Sequence, residues 1–127
     1  MNTEFAAIRS SLTAGQALEK LKSELKKKES VYYIYVLDDN DSLVGVVTMR
    51  LLLLAPPEKP VAELMRKRIA KVRVDADVKD VARQFLKYDF TVIPVVDKQN
   101  KLLGIITIKD AFESVYPKIR EEVEEVK

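Results

Sequence analysis

Thr107 and Asp110, three positions apart, are the residues best placed to do chemistry. The apolar run that ends at Thr107 predicts a strand, and the residues after it predict a helix, so the pair straddles a strand-to-helix junction. Unpaired backbone N–H groups and the helix dipole favour an anion at such a junction. The pair therefore predicts an anion site. The alternative is that both residues only cap the helix, as short polar side chains often do.

The composition excludes most catalytic chemistry. The 127 residues include no Cys and no His, which excludes disulfides, thiolate zinc sites and an imidazole base. No two carboxylates form a convincing acid and base pair. We therefore expect a protein that is not an enzyme and that binds a small solute without transforming it.

Charge and hydropathy bear on the partners. Lys and Arg number 22 against 20 Asp and Glu, and the net charge of +2 gives no strong attraction to nucleic acid. Residues 26–28 and 65–71 are basic, but short lysine runs are more often solvated than bound to lipid or nucleic acid. The apolar run at 51–55 falls far short of the roughly 18 residues that a membrane span needs. With no signal peptide recognisable, we expect a cytoplasmic protein without direct membrane insertion.

The sequence contains an internal repeat. Residues 65–85 match residues 1–21 at an offset of 64, and residues 93–114 match residues 34–55 at an offset of 59. The repeat includes two glycine motifs, Gly-Val-Val-Thr-Met-Arg-Leu at 45–51 and Gly-Ile-Ile-Thr-Ile-Lys-Asp at 104–110. A unit this short cannot bury its apolar face alone. We therefore expect both copies to pack as one domain about a pseudo-twofold axis, with equivalent clefts between them.

Each copy predicts the element order β-α-β-β-α. Apolar runs separated by Asp-rich turns predict two hairpins, at 31–49 and 92–108. Amphipathic stripes predict helices that are capped at Thr13 and Asp77, where Gln16 and Asp80 have the spacing of a residue that reaches back to the cap. Second helices are predicted from about Arg50 and about Lys109. Nearly continuous apolar strands predict sheets covered on both faces. The expected fold class is α/β (α+β), with two repeats packed through their sheets.

These features resemble a tandem pair of CBS domains, the Bateman module. Tyr-Tyr-Ile-Tyr-Val at 32–36, Val-Ala-Glu-Leu-Met at 61–65 and the stretch at 87–97 are similar to the cytosolic CBS region of MgtE-type magnesium transporters. The resemblance covers nearly the whole chain. It implies CBS repeats over residues 1–60 and 61–116 and a connecting helix over 117–127. It also implies two partners outside this sequence, an acidic N-terminal domain and a transporter membrane domain.

The resemblance implies an adenine nucleotide, AMP or ATP, in the clefts between copies, with the Thr hydroxyl near phosphate and the Asp carboxylate on the ribose hydroxyls. In the first copy Leu51 replaces that Asp and cannot bind a ribose diol, so we expect the first cleft to be weakened and favour the second. The implied contacts of the second cleft are Ala6, Val31, Tyr32, Val92, Thr107, Lys109 and Asp110. Those of the first are Tyr33, Arg50, Ala70, Phe90 and Thr91.

The resemblance also implies sensing of cytosolic Mg²⁺, a hard cation that takes oxygen ligands. Lys79 and Lys118 stand where acidic residues are expected, and each lowers the local affinity for a cation. Each carboxylate taken alone has a simpler interpretation as a cap, a turn residue or part of a solvated helix face. The positions that match the family's sensing carboxylates are Asp77, Asp89, Asp110, Glu113 and Glu121.

The resemblance further implies a homodimer through the helices that follow each hairpin, with residues 51–54, Ala111, Phe112 and Val115 as its apolar face. Three functions stay open at this point. The chain is the Mg²⁺-responsive gating region of an MgtE-type transporter or a relative of it, a stand-alone AMP or ATP sensor, or a structural dimerisation module with degenerate clefts.

Overall fold

Two small mixed sheets and their helices make up the fold. The computed structural model describes residue 3 and residues 5–26, 33–88 and 92–107. In chain order the elements are β1 (Ala6–Arg9), α1 (Ala14–Leu25), β2 (Ile34–Leu37), β3 (Leu43–Val47), α2 (Met49–Leu54), α3 (Val61–Leu64), β4 (Val72–Arg73), α4 (Val78–Tyr88), β5 (Val92–Val96) and β6 (Leu102–Thr107).

The sheets have the same topology. The first has the order β1-β2-β3 and the second β4-β5-β6, and in each a parallel pair is followed by an antiparallel hairpin. Helices α1 and α4 make the crossovers that parallel pairs require. The predicted order is confirmed through β6, and the helix predicted from about Lys109 lies outside the described residues. The short helix α3, which begins directly after Pro60, was not predicted.

Both hairpin turns are built by an aspartate. Asp38 Oδ1 accepts the backbone N–H groups of Asn40 and Ser42, both at 2.9 Å. Asp97 Oδ1 accepts the equivalent groups of Gln99 and Lys101, at 2.8 and 2.9 Å. The residues that end these turns, Asp41 and Asn100, have φ of 64° and 65°, a conformation that Asn and Asp tolerate. The predicted turn chemistry is confirmed.

The predicted helix caps are confirmed at α1 and partly at α4. At α1 the side chain of Thr13 accepts the N–H of Gln16 at 3.3 Å, and Gln16 Oε1 accepts the N–H of Thr13 at 2.9 Å. At α4 Asp77 Oδ1 accepts the N–H of Lys79 at 2.8 Å. Asp80 does not reach back to complete a second box, because its carboxylate pairs with Arg83 in the next turn at 3.2 Å.

The repeats have separate cores and share a third apolar cluster. The first core lies between α1, α2 and the first sheet, around Leu21 and Val36. The second lies between α4 and the second sheet, around Phe85 and Ile93. The third cluster joins side chains from both sheets, including Tyr35, Leu43, Val92, Val96 and Ile105. The sheets therefore pack against each other, as predicted.

Equivalent turn residues meet where the repeats join. Ser42 and Lys101, which are 59 positions apart, form an isolated antiparallel bridge. Beside it the N–H of Leu43 donates to Asn100 O, and Asn100 Nδ2 donates to Leu43 O, each at 2.9 Å. A contact between repeat-equivalent positions places the symmetry axis between them, so the predicted pseudo-twofold packing is confirmed. None of the helices in the described ranges is long and apolar enough to cross a membrane.

Candidate ligand-binding cleft

A cavity of about 200 Å³ opens between the two repeats. It lies at the end of the interface where the connection between the copies passes over the first sheet. Tyr33 and Ala70, which sequence analysis assigned to the first cleft, both line it. Among the described residues the lining consists of Tyr33, Tyr35, Val46, Arg66, Arg68, Ile69, Ala70, Val92 and Pro94.

One backbone pairing positions the connection against the cavity. The N–H of Arg66 donates to Val46 O at 2.8 Å, and the N–H of Val46 donates to Arg66 O at 3.0 Å. Val46 stands opposite Tyr35 in the β2–β3 ladder, so one wall of the cavity is continuous from β2 to the connection. The two residues that follow Arg66 differ, since Arg68 lines the cavity and Lys67 does not. Such alternation is typical of an extended segment.

Gly45 permits this pairing. A Cβ atom at Gly45 would lie only 2.9 Å from Met65 Cβ and would collide with the rest of the Met65 side chain. Gly45 has no positive φ, so its function here is to give room and not backbone freedom. The glycine of the first motif therefore lets the segment that begins at Met65 lie directly on β3.

Tyr35 brings an unpaired polar group to the cavity wall. The residue is 2% exposed, and its ring meets that of Phe5 edge-on with centroids 6.3 Å apart. Its buried hydroxyl oxygen has no hydrogen-bond partner among the described residues. Burial, with a smaller contribution from Tyr33, raises the pKa of Tyr35, so the hydroxyl is neutral and can donate or accept. A buried hydroxyl without a partner costs about 1–3 kcal/mol.

The rim of the cavity is positively charged. Arg66 and Arg68 are exposed residues, and none of the lining residues that the structure describes is acidic. Within the described ranges the ion pairs involve other arginines and lysines, and neither Arg66 nor Arg68 takes part in one. Two uncompensated guanidinium groups beside tyrosine rings suit a ligand that combines an anionic group with a flat ring.

The other residues predicted for the first cleft are placed differently. Arg50 is exposed in the first turn of α2 and does not line the cavity. Thr48, the threonine of the first motif, caps α2 by accepting the N–H of Leu51 at 3.2 Å. The simple capping interpretation therefore holds in the first copy. Phe90 and Thr91 lie outside the described residues.

The second cleft, which sequence analysis favoured, lies largely outside the described residues. Val31, Tyr32, Lys109 and Asp110 fall there, so the preference for this cleft stays a prediction. Ala6 is fully buried within the first core, and Thr107 ends β6. Val92 borders the cavity described above.

The predicted Mg²⁺ carboxylates are also mostly outside the described residues, namely Asp89, Asp110, Glu113 and Glu121. Asp77 is exposed and caps α4. Over the described ranges, no three potential His, Cys, Asp or Glu ligands come together. The Mg²⁺ site stays a prediction.

The predicted dimer face needs one correction. Leu51, Leu53 and Leu54 are 43%, 64% and 73% exposed. Leu52 is fully buried in the first core, because it lies on the face of α2 that packs against its neighbouring helices. Leu52 is therefore a core residue, and the exposed part of the face consists of its neighbours. Ala111, Phe112 and Val115 lie outside the described residues.

Sequence analysis missed the arginines and Tyr35 as cleft residues. It described residues 65–71 only as a basic run, and it assigned Tyr32 and Tyr33, but not Tyr35, to the clefts. The repeat itself carried a usable signal, because the offset of 64 places Asn2 and Glu4 at the positions of Arg66 and Arg68. A charge difference between equivalent positions indicates that the two clefts are not chemically alike.

Comparisons with known proteins match this architecture. The CBS domain family model matches residues 1–58 and 61–116. The magnesium transporter MgtE of Thermus thermophilus is 38% identical over 123 residues, which are 97% of this chain and 27% of that protein. The chain spans about a quarter of the length of the MgtE relatives that it matches.

Two solved structures bear on the cleft. The cytosolic domain of the Mg²⁺ channel MgtE in complex with ATP superimposes with a TM-score of 0.78 at 40% identity, over 87% of this chain and 45% of that one. CBSX2 in complex with AMP superimposes with a TM-score of 0.65 at 31% identity, over 87% of each chain. Both neighbours hold an adenine nucleotide.

Proposed function

The chain belongs to the CBS-domain family, as a tandem pair related to the cytosolic region of MgtE magnesium transporters, and on that premise we propose that it binds an adenine nucleotide in its first cleft. CBS pairs are regulatory modules, and we propose a regulatory and non-catalytic role for this one. The observation that carries the proposal is the cavity between the repeats, which combines tyrosine rings with an uncompensated basic rim.

The cleft contains the groups that a nucleotide needs. Tyr33 is half-buried and offers a ring face on which a base can stack. The buried Tyr35 hydroxyl offers a hydrogen bond, and the basic rim suits phosphate. At about 200 Å³ the cavity is smaller than the roughly 300–1,000 Å³ typical of ligand sites. We infer that it holds the base and that the rest of the nucleotide lies along the rim.

Thermal unfolding and titration calorimetry of the chain test this proposal. ATP is expected to raise the melting temperature, since a ligand at a hundred times its Kd stabilises by about 2.7 kcal/mol. Tyr33→Ala is expected to weaken binding about tenfold by loss of stacking. Leu86→Ala, which removes an exposed side chain that is not among the described lining residues, serves as the control and should bind like the unchanged protein. If neither ATP, ADP nor AMP shifts the melting temperature, the proposal is wrong.

We propose further that the module responds to Mg²⁺ on the cytoplasmic side of an MgtE-type transporter. The support is the identity to MgtE over nearly the whole chain. In this proposal carboxylates at Asp77, Asp89, Asp110, Glu113 and Glu121 repel one another without the cation and are held together by it.

Melting curves in MgCl₂ and in NaCl of equal ionic strength test the Mg²⁺ response. The chain is expected to be stabilised more by MgCl₂, and the combined variant Asp77→Asn, Glu113→Gln and Glu121→Gln should lose the difference. Asn retains the cap of α4 and removes only the charge. Glu63→Gln is the control, because Glu63 is an exposed carboxylate outside the set. Equal curves in the two salts would contradict the Mg²⁺ proposal for this chain.

The exposed leucines of α2 support a homodimer. Leu53 and Leu54 place two large apolar side chains side by side in water, which favours their burial against a second copy. Sedimentation of Leu53→Glu/Leu54→Glu should give a monomer. Leu86→Glu changes an equally exposed leucine on α4 and should leave the dimer intact. A monomeric unchanged protein would refute this part of the proposal.

A further inference from the structure

We infer that the first cleft selects its ligand by the length of the phosphate chain and not by the ribose, with Arg66 and Arg68 as the residues that set this specificity. The inference rests on the proposed function, because it specifies which adenine nucleotide the cleft prefers. It predicts a strong preference for ATP over AMP.

The two arginines lie at the cavity without an acidic partner among the described residues. Both line the cavity, and in the described part of the chain neither forms an ion pair. Guanidinium groups bind phosphate oxygens through paired hydrogen bonds, and each additional phosphate offers more oxygens and more charge. Two free guanidinium groups at one rim therefore favour a ligand with several phosphates over one with a single phosphate.

The backbone that carries the arginines is held in place. The backbone of Arg66 is clamped to Val46 by two hydrogen bonds, and Met65 packs in the space that Gly45 leaves. Arg68 follows two residues later on the same side of the segment, while Lys67 between them does not line the cavity. The arginines are thus presented from one fixed wall, so less conformational freedom is lost when phosphate binds.

The first glycine motif has lost the residue that would bind the ribose. Leu51 stands at the position of Asp110 in the second motif, and a leucine side chain cannot accept a hydrogen bond from a ribose hydroxyl. The cavity lining includes no carboxylate that would replace it. Among the described residues the first cleft therefore lacks a carboxylate that would read the 2′ and 3′ hydroxyls, and recognition of the ligand falls to its base and its phosphates.

Calorimetric titrations of the chain with ATP, ADP, AMP and 2′-deoxy-ATP, in EDTA at one ionic strength, test the inference. Affinity should fall about tenfold or more from ATP to AMP, as expected for lost charge-assisted hydrogen bonds. 2′-Deoxy-ATP should bind within about threefold of ATP, because no carboxylate reads the ribose. Equal affinities for ATP and AMP, or a tenfold loss with 2′-deoxy-ATP, would overturn the inference and leave nucleotide binding intact.

A matched set of variants assigns the preference to the arginines. Arg66→Gln/Arg68→Gln should bring the affinity for ATP down to that for AMP, whereas Lys67→Gln removes a neighbouring charge and should keep the preference. An equal effect of Lys67→Gln would show that only the general charge matters and would overturn the assignment. Circular dichroism establishes that the variants are folded. If the double variant unfolds, Arg68→Gln alone replaces it.

Inorganic tripolyphosphate separates the two proposals. Binding of tripolyphosphate that depends on Arg66 and Arg68, without any binding of nucleotides, would refute the proposed function and support phosphate recognition. Absence of binding by every probe would refute both.

Discussion

The first and second repeats share their local construction and differ in the side chains that they turn toward the clefts. Asp38 and Asp97 accept the same backbone N–H groups in the two hairpin turns, and each turn is followed by the same irregularity in its ladder. The cleft positions diverge. Tyr33 and Tyr35 correspond to Val92 and Pro94, and the pair Arg66 and Arg68 corresponds to Asn2 and Glu4.

This difference distinguishes positions that each copy needs in order to fold from positions that it does not. Turns, caps and core positions must be kept in both copies, because each copy needs its own hairpin and its own helix contact. Cleft positions carry no such requirement. At the described cavity the first repeat contributes two tyrosines where the second contributes Val92 and Pro94, and the basic segment comes from the second repeat alone. The scaffold is symmetric, and the chemistry of the interface is not.

Paired core substitutions are the most severe test of this symmetry. Leu21 and Phe85 are 64 positions apart, are 0% and 1% exposed, and occupy equivalent places in the two cores. Leu21→Ala should lower the free energy of unfolding by about 2–5 kcal/mol and Phe85→Ala by about 3–5 kcal/mol. Because a shared cluster joins the sheets, each substitution should shift one cooperative urea transition of the whole chain.

Leu86→Ala, next to Phe85 but 71% exposed, is the control and should change stability by less than about 0.5 kcal/mol. Two separate urea transitions in either core variant would mean that the repeats unfold independently, and the comparison would then be one between two domains.

Gly45→Ala should have an intermediate effect. The added methyl group meets the Met65 side chain, and overpacking of this kind costs about 1–3 kcal/mol. Met65→Ala in the same chain makes room, so the double variant should be more stable than the sum of the single effects predicts. A double-mutant cycle in urea measures this coupling. Strictly additive effects would show that Gly45 does not act through Met65.

The pH dependence of stability that Tyr35 contributes is expected to be the smallest effect. The second repeat lacks it, because Pro94 occupies the equivalent position. Since burial raises the pKa of Tyr35, the unfolded chain releases this proton from about pH 10, where a free tyrosine titrates, while the folded chain retains it. The unfolded state then binds fewer protons, so the free energy of unfolding falls as pH rises, by at most about 1.4 kcal/mol per pH unit.

Urea unfolding at pH 9 and pH 11 measures this contribution as the difference between the unchanged protein and Tyr35→Phe. The variant should gain about 1 kcal/mol relative to the unchanged protein between these pH values. A constant difference across the pH range would show that Tyr35 titrates normally in the folded chain.

Much of the fold was predictable because its signals are local. The turn at 38–42 follows from a carboxylate that reaches backbone N–H groups two and four residues on, and the capping box at α1 follows from the spacing of Thr13 and Gln16. The repeat offsets then predicted the packing of the two sheets. The errors arose where a neighbour outside the local segment decided the outcome, as when Asp80 paired with Arg83 and Leu52 turned into the core.

The cleft was predictable only in part. Tyr33 and Ala70 came from the resemblance, but Tyr35, Arg66 and Arg68 could not be assigned from their own surroundings in the sequence. They meet because a backbone pairing between Val46 and Arg66 joins segments 20 residues apart, and because the second sheet supplies the opposite wall.

The sequence by itself determined the duplicated element order, the turns, the caps and the family, because each depends on residue types at fixed short spacing. Only the tertiary structure decided which side chains face one another across the repeats and which charges are left without a partner. These depend on contacts between segments far apart in the chain, where the close approach at Gly45 and the burial of Tyr35 set the chemistry of the cleft.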